Sequence, residues 1–409
     1  MKVSVTKSQI LITVILMDLL TGMEFDLFVP SFPQLQIQFN LTPFWVEALL
    51  SINFIGYCLS LFFVGSLSDR YGRKRLLLLG LLSFIFGSIL CLCAESYWFL
   101  ILGRFLQGVG IAAPSILSFL IIADMCSLKQ QQFFMSILNG FMNVAVGASP
   151  VLGSYLTLYF HWRGNFTALL LLGIFVLGMV VFFIPSQPIS KSSELESGEE
   201  IKQEESKEKI VGSYLKVFRS KPLMLVSVHI FLMCVPYWVF VGMSPLLYMK
   251  DCGVSLAHFG YYQGILALVF AFGSVLFGLI INKADSRRFL SINIGIFVLS
   301  FLLIGLVAMF YSHMPLFITL SLLIFVIGQI IPSSLLYPVA INFMPESKGR
   351  ISGVIQGGKL IFSALSLQIA GYFYDGSFKN IGLIILVFVA LSILTLVLVI
   401  RNRELMGVK

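Results

Sequence analysis

Twelve long apolar runs constrain this chain more than any other feature. It has 409 residues, of which 58% are hydrophobic and only 11% are charged, whereas soluble domains average about 25% charged residues. A helix needs about 20 apolar residues to cross a bilayer, where it can satisfy its own backbone without water. The sequence therefore predicts an all-α membrane protein with twelve transmembrane helices. The predicted spans are 9–36, 44–66, 76–95, 97–122, 132–158, 165–185, 223–247, 256–281, 289–311, 314–343, 351–374 and 380–400.

Basic residues are concentrated on one side of the predicted membrane. Of the 27 lysines and arginines, 22 fall in the termini and loops of one side, three fall on the other side and two lie within spans. The positive-inside rule therefore places both termini in the cytoplasm. Topology also accounts for the net charge of +8, so no nucleic-acid partner is expected. The first run is long, contains acids and lacks a small-residue cleavage site, which predicts an uncleaved helix.

A polar segment rich in glutamate and lysine separates the sixth span from the seventh. It divides the chain into an N-terminal six-helix bundle (1–185), a cytoplasmic charged linker (186–222) and a C-terminal six-helix bundle (223–409). Segment Gly65–Arg75 after the second span matches Gly278–Arg288 after the eighth in its glycine and its closing basic pair. The two bundles are therefore predicted to be pseudo-symmetric repeats with a site at their interface near mid-depth.

Ionisable residues interrupt the apolar runs. Arg104 lies in the fourth span, where a guanidinium costs at least ~3 kcal/mol unless it faces a partner or a wet cavity. The first span contains Asp18, Glu24 and Asp26. Asp18 and Asp26 are about 12 Å apart along a helix, and Glu24 points about 120° away from Asp18, so the three cannot share one face. Buried acids with one buried arginine suit a proton-coupled carrier.

Four motifs make the chain resemble the major facilitator superfamily. Within it, the chain resembles along its whole length the twelve-helix drug:proton antiporters of the bicyclomycin/chloramphenicol-resistance (Bcr/CflA) branch. Ser149 departs slightly from the family pattern, which usually has glycine or alanine before the proline of the third motif. The motifs are G-x-L-x-D-R-x-G-R-K/R in Gly65–Lys74, R-x-x-Q-G-x-G-x-A in Arg104–Ala112, G-x-x-P-x-x-G in Gly147–Gly153 and D-x-x-x-P-x-x-P in Asp26–Pro33.

The resemblance implies a role in proton coupling for the charged residues of the spans. It makes Asp18 and Asp26 the proton sites, links Arg104 to coupling and leaves Glu24 as a third candidate. The residues alone leave two alternatives open. Asp26 and Glu24 could be solvated at the outer mouth, and Arg104 could be a structural donor to backbone carbonyls at the broken first helix.

The resemblance also implies two mechanical elements. Gly65, Asp69, Arg70 and Arg73, together with Asp124, would form a conformational gate in which Arg73 bridges the two aspartates; simple marking of topology by positive charge is the alternative. Gly147, Pro150 and Gly153 would kink the fifth span, because proline removes a backbone hydrogen bond and glycine permits close helix approach. Packing alone is the alternative for this second element.

Polar and aromatic residues within the spans are candidates for substrate binding. Lys359 is the most unusual of them, because it lies about 13 Å beyond Arg350 in the eleventh span. It could pair with a first-helix carboxylate, meet an anionic substrate or be purely structural. The candidates are Asn53, Tyr57, Asn139, Asn143, Trp238, Gln329, Tyr337, Gln356 and Lys359.

These features predict a proton-coupled secondary transporter of a bacterial inner membrane. We expect an efflux antiporter of small amphipathic compounds, working as a monomer in the lipid bilayer. No nucleotide motif, catalytic set or metal-ligand spacing appears in the sequence, so the proton gradient is expected to replace cofactors, and no enzyme activity is expected. The alternative within transport is a proton-coupled carrier of an anionic metabolite, such as a carboxylate siderophore. A non-transporting membrane receptor is the alternative from a different class.

Overall fold

A computed structural model describes residues 6–125, 128–185, 216–280, 286–344 and 348–405. Long helices make up nearly all of this part of the chain, as the apolar runs predict. We number them in chain order. They are α1 (Lys7–Asp26), α2 (Phe32–Gln38), α3 (Pro43–Tyr71), α4 (Arg73–Leu92), α5 (Tyr97–Met125), α6 (Leu128–Phe183), α7 (Lys221–Pro245), α8 (Leu256–Ile280), α9 (Ser286–Phe310), α10 (Pro315–Phe343), α11 (Lys348–Phe373) and α12 (Phe378–Arg401).

The described helices account for twelve membrane spans. Ten segments of the described chain are long and apolar enough to cross a membrane, and one of them, Val144–Phe183, comprises two spans within α6. The two meet at His161, whose φ of 57° and ψ of −174° leave the helical region. Helix α1, whose acids lower its hydropathy, is the remaining span. The all-α, twelve-helix prediction is therefore confirmed.

The first span is broken at its two prolines. Helix α1 ends at Asp26, a 3₁₀ turn covers Val29–Ser31, and α2 begins at Phe32. Proline fits the first turn of a helix, because its missing N–H is not needed there and its φ is already helical. Pro30 and Pro33 occupy such positions. The turn predicted by the proline motif therefore directly follows the last acid of α1.

Two apolar cores lie side by side. One is formed by buried residues between 10 and 184 with a few from the second half, and the other by residues between 217 and 405. Helix α3 packs against α11, and α6 packs against α8, along the seam between the halves. Residues 186–215 of the predicted linker lie outside the described residues, so the domain boundaries stay a prediction.

The two ends of the bundle differ in charge. The end of the bundle that contains Arg163, Lys250 and Lys379 has few basic residues and is here called the low-charge end. The opposite end, where α3 ends and α4 begins, is called the basic end. At the low-charge end the halves are joined by polar contacts. The Lys250 ammonium donates to Gln36 Oε1 at 3.1 Å, linking the residues after α7 to α2.

Candidate functional site

Arg104 and Glu24 form a buried ion pair inside the N-terminal half. Arg104 Nη1 lies 2.7 Å from Glu24 Oε1, and both side chains are fully buried. Asn53 Nδ2 donates to the same oxygen at 2.8 Å and to the Arg104 carbonyl at 3.0 Å. This arrangement joins α1, α3 and α5, because each helix contributes one of the three residues.

The motif around Arg104 supports the guanidinium on its other sides. Arg104 Nη1 also donates to Gln107 Oε1 at 2.8 Å, and Gln107 in turn donates to Ser88 of α4. The guanidinium carbon lies 3.9 Å from the centre of the Phe28 ring, within the range of a cation–π contact. Gly108 lets α3 approach, since a Cβ there would overlap the Asn53 carbonyl oxygen.

The other two acids of α1 occupy separate environments. Asp18 Oδ1 accepts a hydrogen bond from Ser118 of α5 at 2.7 Å, and the side chain is 1% exposed. Asp26 is completely buried, and neither of its oxygens has a hydrogen-bond partner among the described residues.

Two sequence-based alternatives are wrong for this structure. Glu24 and Asp26 are not solvated at a mouth, because both are 0% exposed. Arg104 does not serve the carbonyls of the broken first helix: its described carbonyl contact is Leu49 O of α3 at 3.4 Å, and its main partner is Glu24. Arg104 is thus paired with Glu24, the acid of the first span that the spacing and the resemblance favoured least as a proton site.

A cavity of about 330 Å³ lies on the C-terminal side of the seam. Residues of α7, α8, α10 and α11 form most of its wall, and Val146 of α6 lines it from the N-terminal half. Five of the nine predicted substrate residues line it. They are Trp238, Gln329, Tyr337, Gln356 and Lys359.

The remaining substrate candidates do not line this cavity. Asn53 belongs to the Glu24–Arg104 network, and the Tyr57 hydroxyl lies 2.7 Å from Ser115 Oγ. Both are turned into the N-terminal half because they satisfy buried polar groups there. The side chains of Asn139 and Asn143 lie outside the described residues.

Aromatic contacts connect the cavity to the acidic helix. Trp238 lies on the cavity wall, and its ring centre is 6.2 Å from that of Phe25 and 4.8 Å from that of Phe54, both with edge-to-face geometry. Phe25 directly precedes Asp26 in α1. A ligand that moves Trp238 would therefore press on the helix that contains the buried acids.

Lys359 is the one cation among the described residues of the cavity wall. Its ammonium makes no hydrogen bond or ion pair within the described part of the chain, so the predicted pairing with a first-helix carboxylate is not present. The lysine is therefore available to a charged group that enters the cavity.

Part of the predicted gate is described. Arg73 Nε donates to Asp124 Oδ2 at 3.2 Å, which joins the start of α4 to the end of α5 at the basic end. Arg73 also donates to the Ser68 hydroxyl. Gly65, Asp69 and Arg70 belong to α3, but nothing beyond their helical backbone lies within the described residues.

The fifth-span motif packs closely against its neighbours. The backbone of α6 remains helical through Pro150. A Cβ on Gly153 would overlap the carbonyl oxygen of Leu27, and one on Gly147 would come within 3.1 Å of Leu268 in the opposite half. The motif thus lets α6 contact the proline turn on one side and α8 on the other.

One buried acid, Glu47 of α3, was not among the predicted site residues. Its side chain is 0% exposed, and its carboxyl lies at the seam between the halves. The residue stands only four positions after the proline that starts α3, where an acid normally suggests a solvated helix end. The signal that could have found it is its apolar company in the sequence, from Phe44 to Leu50.

Sequence comparison places this geometry in a known family. The profile of the Major Facilitator Superfamily matches residues 14–367. The multidrug resistance protein MdtL of Escherichia coli O9:H4 (strain HS) is 28% identical over 265 residues, which cover 64% of this chain and 63% of that protein. MdtL of Shigella flexneri matches to the same extent. The chain thus spans less than two thirds of the length of these relatives.

Solved structures share the fold. A bacterial homologue of the human lysosomal transporter Spinster, inward-facing and occupied, superimposes with a TM-score of 0.75 at 15% identity, covering 97% of each chain. The inward-open xylose transporter XylE from E. coli gives 0.73 at 14% identity, covering 96% of this chain and 95% of that one. With the family profile matching most of its length, this multi-pass membrane protein belongs to the Major Facilitator Superfamily of transporters and is not an enzyme.

Proposed function

We propose that this chain is a proton-coupled efflux antiporter of small amphipathic compounds, located in a bacterial inner membrane. The observation that carries the proposal is the presence of three buried acids on α1, a helix whose Phe25 packs against Trp238 of the cavity wall. A carboxyl in a low-dielectric environment can hold a proton and release it when water reaches it. A conformational change that exposes these acids alternately would couple proton entry to export.

The pieces of the site suggest how the coupling works. An amphipathic compound enters the apolar cavity and contacts Trp238, which packs on Phe25 of α1. Movement of α1 alters the surroundings of Asp26 and the Glu24–Arg104 pair. Protonation of an acid weakens its attraction to Arg104 and lowers the cost of burying it, which favours one arrangement of the halves over the other.

Direction and substrate are supported by relatives. The MdtL proteins are named for multidrug resistance, and the third motif is the one that resembles antiporters. Proteoliposomes containing the purified protein test the proposal directly. An imposed pH gradient, without ATP, should drive a drug across the proteoliposome membrane in the direction opposite to that of the protons. Susceptibility profiling of cells with and without the gene should identify the transported compounds.

A second transport function is favoured by one observation, the unpaired Lys359 ammonium on the cavity wall. It suits a proton-coupled carrier of an anionic metabolite, such as a carboxylate siderophore. Movement of candidate anions that is identical in the wild type and in Lys359→Ala would argue against this function. A non-transporting receptor, the alternative from another class, predicts ligand binding but no solute movement under any pH gradient.

A further inference from the structure

Glu47 is a buried acid that none of the four motifs contains. It lies near the start of α3, at the low-charge end of the seam. Its side chain is 0% exposed, and neither carboxyl oxygen has a hydrogen-bond partner in the described part of the chain. A buried acid without a partner is costly, so its presence calls for a physical explanation.

Two glycines of the opposite half make room for this carboxyl. Gly242 of α7 faces it directly, because a Cβ there would overlap both Glu47 Oε2 and Leu367 Cδ2. Gly371 of α11 faces the stem of the side chain: a Cβ there would lie 3.3 Å from Glu47 Cγ and 3.0 Å from Phe44 Cα. The carboxyl is therefore enclosed only when the two halves are in contact at this end.

No charge from the facing helices compensates Glu47. Among the described residues, none forms an ion pair or a hydrogen bond with its carboxyl. Tyr372, next to Gly371, is 73% exposed and so turns away from the seam. The facing helices α7 and α11 do contain ionisable residues, but none of those whose side chains are described bonds to the Glu47 carboxyl. These residues of the two helices are Lys221, His229, Cys234, Tyr237, Lys348, Arg350, Lys359 and Tyr372.

The charge state of Glu47 must therefore change when the seam opens. An ionised carboxyl enclosed without a partner is much less stable than the neutral acid in the same place. When the halves separate at the low-charge end, water reaches the carboxyl and the ionised form becomes stable. We propose that Glu47 is a further proton-binding site, which takes up one proton from the low-charge side as the halves close over it and returns it to that side as they open.

This proposal rests on the alternating access assumed in the proposed function, and it adds a second place where protons act. The acids of α1 lie within the N-terminal half, whereas Glu47 lies between the halves. Acidity on the low-charge side would therefore favour closure there even without substrate. Over the pH range in which Glu47 gains its proton on closing, the ratio of open to closed molecules changes up to tenfold per pH unit.

Spin-label distances across the low-charge end test this inference. The full chain is placed in lipid nanodiscs without substrate, with labels at the exposed Ile37 of α2 and Lys379 of α12. The ratio of open to closed molecules should rise with pH. Glu47→Gln should make this rise less steep by the contribution of one proton, which is a factor of up to ten in the ratio per pH unit. Glu95→Gln is the matched control, because Glu95 is an exposed acid at the same end, and it should keep the wild-type slope.

Infrared spectra provide a second measurement that does not depend on the amide variant. The closed wild-type protein should show the C=O band of a protonated carboxyl that disappears on opening, and Glu47→Leu should lack it. An unchanged slope in Glu47→Gln, or a wild type without this band, would overturn the proposal. Failure of pH-driven drug export with an intact Glu47 slope would instead count against the proposed function alone.

Discussion

Arg104 donates to Glu24 across 2.7 Å while both side chains are completely shielded from solvent. Such a pair stabilises a fold only as a pair, because each partner alone leaves an uncompensated charge. Asn53 and Gln107 hold the two groups in place from α3 and α5. The pair therefore links the acidic helix to the rest of its half, and the stability of the fold depends on the charge of Glu24.

Removing one member of this pair should destabilise the protein more than removing both. Glu24→Gln leaves the Arg104 charge buried and unpaired, at a cost of about 3–5 kcal/mol. The double variant Glu24→Gln/Arg104→Gln should recover part of this loss. Thermal unfolding in detergent measures both, with the exposed Glu95→Gln as control. Equal stability of Glu24→Gln and wild type would show that the pair has no such role.

Neutralising Asp18 or Asp26 should uncouple transport from the proton gradient. Asp18→Asn and Asp26→Asn remove a proton site while keeping side-chain volume, so both variants should reach the membrane and bind drug. Drug export from proteoliposomes should no longer respond to an imposed pH gradient. Asp375→Asn, which changes an exposed acid at the low-charge end, should behave as wild type. A double Asp18/Asp26 variant that still responds fully would disprove the assignment.

Lys359 should discriminate between charged and neutral ligands. Dansylglycine and dansylglycinamide differ only in a carboxylate, and both fluoresce in an apolar cavity. If the ammonium pairs with the carboxylate, Lys359→Met should weaken dansylglycine binding by about 1.5–3 kcal/mol, roughly ten- to a hundredfold in Kd. Binding of the amide should be unchanged. Equal losses for the two probes would mean that Lys359 only shapes the cavity.

Gly153 should be intolerant of a side chain. Gly153→Ala places a Cβ against the Leu27 carbonyl and forces α6 away from the proline turn, which should cost about 1–3 kcal/mol of stability. Gly178 lies in the second span of the same helix, where a Cβ meets nothing within 4 Å. Gly178→Ala should therefore unfold at the wild-type temperature. A similar loss in both variants would point to a general effect of alanine in α6.

The Arg73–Asp124 pair should affect conformational change more than stability. The pair is partly exposed, with side-chain exposures of 22% and 36%, and such pairs contribute about 0–1 kcal/mol. Arg73→Ala should therefore unfold close to the wild type but alter the rate of pH-driven export. Arg75→Ala, two residues away and exposed, is the control for basic charge at this end. Unaltered export in Arg73→Ala would leave the pair as a topology marker.

The number of spans and their approximate positions were predictable because lipid leaves the backbone few choices. Apolar runs of about 20 residues gave the twelve spans, and the prolines at 30 and 33 gave the break after α1, since proline cannot continue a ladder of backbone hydrogen bonds. The predicted span 256–281 is the helix Leu256–Ile280. Charge inside these runs also marked Arg104 and Lys359 as special without any knowledge of their surroundings.

Partners within the bundle were not predictable in the same way. Spacing along α1 orders its acids around the helix but does not reveal which face meets α5, and so Glu24 rather than Asp18 or Asp26 proved to face Arg104. Asn53 and Tyr57 share a helix face, yet they serve polar groups of their own half and not the cavity. The identity of a partner depends on how helices rotate against each other.

The sequence by itself determined the membrane location of this protein, its twelve helices and the family they belong to, because hydrophobic length and local motifs act within one helix at a time. Only the tertiary structure decided which buried charges are paired, which are left for a ligand and that Glu47 lies between the halves. Those facts arise from contacts between residues on different helices, such as Glu47 and Gly242, and helix packing rather than local sequence brings such residues together.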